Sequence, residues 1–178
     1  MKDLKQFNIH YIGLKEASHT FEYQIDNTFF EAFHFDEFFD ANIKVTLVLD
    51  KKSTLLTLNF TATGTVNVLC DVSGEEFDQE IHAALPLLVK FGNEFNDDNE
   101  ELLILPYSEF QMNVAQYIYE MIVLAIPSKR VHPKVLDGTL ETEALKKLEK
   151  LRVTKEKTTE DVDPRWEKLK NIITEKKT

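Results

Sequence analysis

One cysteine, five glycines and five prolines are all that 178 residues offer of the types that build disulfides, phosphate-cradling loops and sharp chain breaks. A lone cysteine excludes an internal disulfide and cannot by itself make a cysteine-rich zinc site, so a reducing compartment is the natural setting. The chain has no Gly-rich phosphate loop, no dinucleotide fingerprint, no Gly-x-Ser-x-Gly elbow and no Asp-x-Asp-x-Asp-Gly calcium frame. No apolar run approaches the ~20 residues of a membrane span. The opening MKDLKQFNIHY also lacks the apolar stretch of a signal peptide. These absences lead to the expectation of a cytoplasmic, monomeric protein with no membrane, cofactor, bound metal, small-molecule substrate or catalytic site.

Positive charge is scarce over most of the chain. Residues 1–127 hold 7 Lys/Arg against 21 Asp/Glu, a balance of −14, whereas residues 128–178 hold 14 against 10. The two stretches are expected to be an acidic core domain (1–127) and a basic linker with a helical tail (128–178). An acidic surface repels nucleic acid, and a basic terminal third can meet phosphate. A solvated, charge-rich tail is the ordinary reading of such composition.

What the chain does have is apolar patterning. The stretch from Ser18 to Asp26 alternates apolar and polar through Thr20 to Ile25, as a strand does, and Phe7, Ile9 and Tyr11 mark a first strand over 6–14. Phe29 to Phe39 packs six phenylalanines among acids, and periodicity does not decide between a short helix and an irregular segment. Period-two patterns then run through Ile43–Leu49, Leu56–Ala62, Val66–Cys70 and Phe77–Leu87, with Gly64 read as a break. That predicts four consecutive strands, an antiparallel meander. Residues 92–101 are read as an acidic loop and Leu102–Leu105 as a short strand.

Ser108 followed by Gln111 has capping-box spacing, and Phe110, Val114, Ile118, Met121 and Ile122 recur at helical intervals up to Pro127. A central helix over 108–127 is therefore predicted to lie on the apolar face of the meander. After it, SKRVHPKVLDG reads as a linker. Ala144, Leu145, Leu148 and Leu151 read as a short helix, 152–162 as mobile, and Asp163-Pro164 as the start of a last helix carrying Trp166 and Leu169. The predicted class is α+β: an antiparallel β-meander packed against one central amphipathic helix, with a helical, partly mobile C-terminal tail.

Candidate chemistry is thin. Cys70 alternates inward with Val66 and Val68 and is expected to act as a small hydrophobe. His10, His19, His34, His82 and His132 are scattered, with none at metal-pair spacing. Asp97, Asp98, Glu100 and Glu101 read as a solvated loop, and Glu120 is a carboxylate without an identifiable partner.

Three phrases resemble the YceD family of large-subunit ribosomal RNA accumulation proteins, which occurs in bacteria and plastids. They are Gly64-Thr65-Val66 leading to Cys70, then Glu120 with Leu124-Ala125-Ile126-Pro127, and lastly Asp163-Pro164-Arg165 with Leu169. Order and spacing agree over roughly residues 40–173. The chain departs from the family pattern at Ser73, where a second cysteine is usual, and at Asp71-Val72, where an arginine is. A metal site of paired cysteines is therefore not carried over.

The resemblance implies a non-enzymatic ribosome-biogenesis factor that promotes accumulation or processing of large-subunit ribosomal RNA. Its partners would be that RNA or ribosomal proteins, with Lys129, Arg130, Lys134, Arg165, Lys168 and Lys170 as phosphate-positioning contacts. The alternative is a protein-only binding module or holdase for a basic ribosomal protein. A third reading is an enzyme with a diffuse site joining Glu120, His82 and an arginine.

Overall fold

Alternating apolar side chains dominate the stretch from Ser18 to Pro106, and most of it forms a single sheet. The computed structural model describes residues 4–99 and 101–151. A 3-10 turn at Leu4–Phe7 leads into β1 (Asn8–Ile9), β2 (Ser18–Asp26), α1 (Asn27–Ala32), β3 (Asp40–Lys51), β4 (Leu55–Leu69) and β5 (Glu76–Gly92). There follow β6 (Asn96–Asn99), β7 (Leu102–Pro106), β8 (Met112–Asn113), α2 (Ala115–Leu124), α3 (Pro133–Leu136) and α4 (Glu143–Leu151). Six strands lie in the order β2-β3-β4-β5-β7-β6, and β1 pairs separately with β8. All pairings are antiparallel except β5 with β7. The protein is thus α+β, with a mostly antiparallel sheet and few helices. The chain divides into two compact units at Glu141/Thr142, and α4 belongs to the second.

Register decides where the core lies. Ile43 pairs with Gly64, Leu47 with Phe60, Phe60 with Leu85 and Val89 with Leu103, so one face of the sheet collects the apolar set. Val45, Leu47, Leu58, Phe60, Val66, Ile81 and Val89 are essentially inaccessible to water on that face. Each such side chain contributes about 1.5–3 kcal/mol by burial. Phe7 lies between Tyr23 of β2 and Phe29 of α1, at ring separations of 5.2 and 5.0 Å. Tyr117 of α2 faces Phe60 at 6.4 Å, and the buried residues of α2 belong to the same core.

Three strands stand where four were expected, because β4 runs unbroken through Gly64. The even-numbered residues from Leu56 to Val68 never change face, so no turn interrupts them. Glycine is there for space: a Cβ would sit 2.2 Å from the Asn42 carbonyl oxygen and 2.6 Å from Ile43 Cα. This is the close backbone approach that glycine alone permits.

The helix also begins later than predicted. Ser108 and Gln111 do not cap it, and Phe110 is 53% exposed instead of buried. Met112–Asn113 is drawn into pairing with β1, and the Val114 amide donates to the Phe7 carbonyl at 3.0 Å. Asn113 does the capping. Its side-chain oxygen accepts the Ala115 amide at 2.9 Å, while its amide nitrogen donates to the Leu4 carbonyl at 3.0 Å. A long-range contact overrides a local pattern here.

Three other readings change, and one left open is resolved. The first strand shrinks to β1, since the 11–14 turn that follows is held by Lys51, whose Nζ donates to the carbonyls of Tyr11, Ile12 and Leu14. The acidic loop contains β6, which pairs with β7 and extends the sheet. The linker contains α3, where Pro133 occupies the first turn and the His132 ring accepts the Lys134 amide. Residues 29–39, where periodicity left the choice open, begin inside α1, which ends in a Schellman closure at His34–Phe35, and run on without helix to Phe39. The Phe35 amide donates to the Phe30 carbonyl and the His34 amide to the Glu31 carbonyl, with His34 at φ +58°. The mobile 152–162 stretch and the helix from Asp163 lie outside the described residues.

Two substitutions test these geometries by thermal or urea unfolding. Gly64→Ala is expected to destabilise by about 3 kcal/mol, since two backbones must separate to admit the methyl group. His34→Gly is expected to stabilise by up to ~1 kcal/mol, because glycine removes the Cβ penalty of the left-handed cap.

Candidate functional site

Turn-forming residues follow β4, and their backbone shapes the first candidate region. Gly74, at φ +73°, lets the chain fold back so that its amide donates to the Cys70 carbonyl at 2.9 Å. The Cys70 amide in turn donates to the Glu75 carbonyl at 2.8 Å. Onto this turn the chain leaving α2 is clasped. Asp71 and Arg130 exchange two bonds, Asp71 N–H to the Arg130 carbonyl at 2.8 Å and Arg130 N–H to the Asp71 carboxylate at 2.6 Å. The Arg130 guanidinium adds ion pairs to Glu37 at 3.2 Å and to Asp71 at 3.7 Å. His132 completes the clasp, its ring 5.3 Å from that of Phe77 and its amide 3.3 Å from Cys70 Sγ.

Cys70 is buried, and its sulfur is more than apolar filler. Burial pushes the thiol up, but hydrogen bonds from the amides of His132, Ser73 and Val72 and from the Ser73 side chain bring it down to about 7. Amide donors thus do what no cation does here. Among the described residues, no group of three or more His, Cys, Asp and Glu side chains is arranged to hold a metal.

The cations expected to meet phosphate fall into distinct settings. Lys129 and Lys134 are exposed, whereas Arg130 is half-buried and committed to Glu37 and Asp71. Arg165, Lys168 and Lys170 lie outside the described residues, as do Asp163 and Pro164. Among the other family-pattern residues, Gly64 makes the close approach in β4, and Val66 and Cys70 are buried beside it in sequence. Leu124 is 83% exposed at the end of α2, and Pro127 is exposed just beyond.

A second region has no counterpart in the sequence reading. A half-open groove of about 900 Å³ is lined by α2, β5, β6, β7 and the segment joining β7 to α2. Leu85, Leu103, Leu105, Tyr117 and Met121 supply apolar surface, and Phe95 and Leu124 stand exposed beside them. Asp97, Glu109 and Glu120 also line it, and no lysine, arginine or histidine does so among the described residues. Tyr117 registers that field: burial raises its phenol, and the charges of Asp97 and Glu120 raise it further. Among the described residues, neither His82 nor an arginine lines the groove, so they do not assemble the expected triad with Glu120 there. Only the short apolar strand read at Leu102–Leu105 hinted at this surface, since its lining comes from segments up to forty residues apart.

The described residues up to Glu141 thus form a predominantly antiparallel α+β unit with an acid-lined groove and a clasped post-helix segment. Its family is identifiable: the model of the large ribosomal RNA subunit accumulation protein YceD matches residues 58–173. The chain belongs to the YceD family. That family's description names accumulation of large-subunit ribosomal RNA and no class of catalysis. No curated protein matches the chain significantly, and no solved structure does so either. The match begins in β4 and takes in the clasp and the groove-forming residues of β5, β6, β7 and α2.

Cys70 gives a spectroscopic test. Absorbance at 240 nm is expected to rise with a midpoint near pH 7 in the folded protein and to be lost in Cys70→Ala. Because the folded value lies below the unfolded 9.0, the associated stability is present at alkaline pH and is lost as pH falls through 7. A folded-state midpoint near 9 contradicts the amide-donor account.

Proposed function

We propose that this chain is a non-enzymatic ribosome-biogenesis factor that promotes the accumulation or processing of large-subunit ribosomal RNA. The observation that carries the reading is the family match, which spans about two thirds of the chain. The proposed site of action is the cytoplasm, with the chain acting as a monomer and without a cofactor. No helix among the described residues is long and apolar enough to cross a membrane.

In this reading the two stretches 1–127 and 128–178 divide the work. The acidic core meets basic ribosomal proteins, and the basic stretch meets RNA. Lys129, Lys134, Arg165, Lys168 and Lys170 are the phosphate-positioning contacts, giving affinity that falls steeply with salt and carries little sequence preference. Arg130 joins them only by exchanging Glu37 and Asp71 for phosphate. Its present pairing supports a first role in holding residues 129–132 against the β4–β5 turn.

Loss of the gene is expected to lower the large-subunit peak relative to the small on a sucrose gradient, with less mature large-subunit RNA. An unchanged subunit ratio contradicts the proposal. Ultraviolet cross-linking in cells is expected to place RNA adducts after Ser128; adducts confined to residues 71–101 contradict the division of labour.

A further inference from the structure

We propose that the groove between α2 and the β5-β7-β6 edge of the sheet is a docking site for a short amphipathic protein segment with apolar residues on one side and Lys/Arg on its flanks. The proposal deepens the assembly-factor reading, on which it rests for the source of the partner but not for the binding itself.

The groove's chemistry selects this occupant. Its capacity of about 900 Å³ suits several side chains at once, and it is lined mainly by apolar atoms from Leu85, Leu103, Leu105 and Met121. Phe95 and Leu124, 57% and 83% exposed, place large apolar side chains in water at its margin. Water-exposed residues of this size beside an apolar groove mark a surface that gains by being covered. An apolar segment alone would satisfy the floor, but the polar lining chooses among such segments. Asp97 comes from β6, Glu109 from the β7–β8 connection and Glu120 from α2, so the carboxylates are contributed by three separate elements.

No cation among the described residues lines the groove to neutralise them. Glu120 accepts a hydrogen bond from a neutral group, Gln116 Nε2, at 2.5 Å. A nucleic acid is repelled by this arrangement, and an acidic peptide likewise. A segment with lysine or arginine beside its apolar residues gains on both counts, as amphipathic helices do in apolar grooves with complementary rims.

The test uses the full-length chain and two fluorescein-labelled 18-residue peptides with the same helically spaced leucines. One carries lysines at the flanking positions, the other glutamates. The lysine peptide is expected to bind at least about tenfold more tightly and to weaken as salt rises. Glu120→Lys and Asp97→Lys, both at exposed positions, are each expected to weaken it about fivefold or more. Leu124→Asp should act similarly through the apolar contact, with melting temperature unchanged in all three. Glu75→Lys and Glu76→Lys, exposed at the β4–β5 turn, should have little effect.

Equal binding of both peptides, or equal losses from the groove and turn variants, overturns the proposal, the latter by reducing the attraction to overall charge. A dimer in sedimentation velocity that Leu124→Asp dissociates makes a second copy the occupant and also overturns it. So does a shift of Trp166 emission caused by Leu124→Asp without peptide, which marks the chain's own C-terminal segment as the occupant. Peptide binding with an unchanged subunit ratio in the gene deletion would leave the groove standing and remove the ribosomal reading. The reverse pattern would remove the groove alone.

Discussion

Where β3 passes Gly64 of β4, the Asn42 carbonyl oxygen and Ile43 Cα occupy the space in which any other residue would place its Cβ. Much of the architecture depends on that close approach. It allows β4 to continue from Leu55 to Leu69 without a turn, keeping the even-numbered residues from Leu56 to Val68 on one face. A continuous β4 gives β5 a fifteen-residue pairing partner, and β5 then carries β7 and β6 beyond it. The Gly64-x-Val66 phrase of the family pattern therefore has a steric meaning. Glycine admits the neighbouring strand, and valine returns an apolar side chain to the core two residues later.

The far end of the same hairpin supplies the second constraint. The Cys70–Gly74 turn presents Asp71 and the Cys70 sulfur to the chain leaving α2, and Arg130 and His132 bind there. The Leu124-to-Pro127 phrase stops the helix, and three residues later the chain is pinned. An exposed ion pair such as Arg130–Glu37 contributes at most ~1 kcal/mol on its own. The reciprocal Asp71–Arg130 backbone bonds are what give the clasp a defined geometry. The clasp thereby ties the end of the Gly64–Cys70 phrase to the chain three residues beyond Pro127.

Elements defined by their own pattern were legible in the sequence. β2 matches its expected span from Ser18 to Asp26 because its alternation is clean and Asp26 ends it by capping α1. Elements decided by distant partners were not. Ser108 and Gln111 satisfy a local capping rule, yet β8 pairs with β1 and Asn113 bridges the N-terminal turn to the helix. Lys51 holds a turn some forty residues earlier through three carbonyls, a role that composition does not signal. The groove was illegible for the same reason. Asp97 and Phe95 read as members of a solvated loop until β6 places them opposite α2. Cys70 was legible as buried, but not as a sulfur surrounded by amide donors, because those donors come from a turn and from a segment sixty residues on.

Family membership connects the chain to large-subunit ribosomal RNA, and the described surface offers acid-lined apolar space more readily than a phosphate-binding face. These fit together if the folded unit engages a basic protein segment while the cations after Ser128 engage RNA. The most direct measurement is complementation of cells lacking the gene with Glu120→Lys/Leu124→Asp, two exposed changes in the groove, expressed at the wild-type level. The account predicts that this variant, with an unchanged melting temperature, fails to restore mature large-subunit RNA. Full restoration would contradict it.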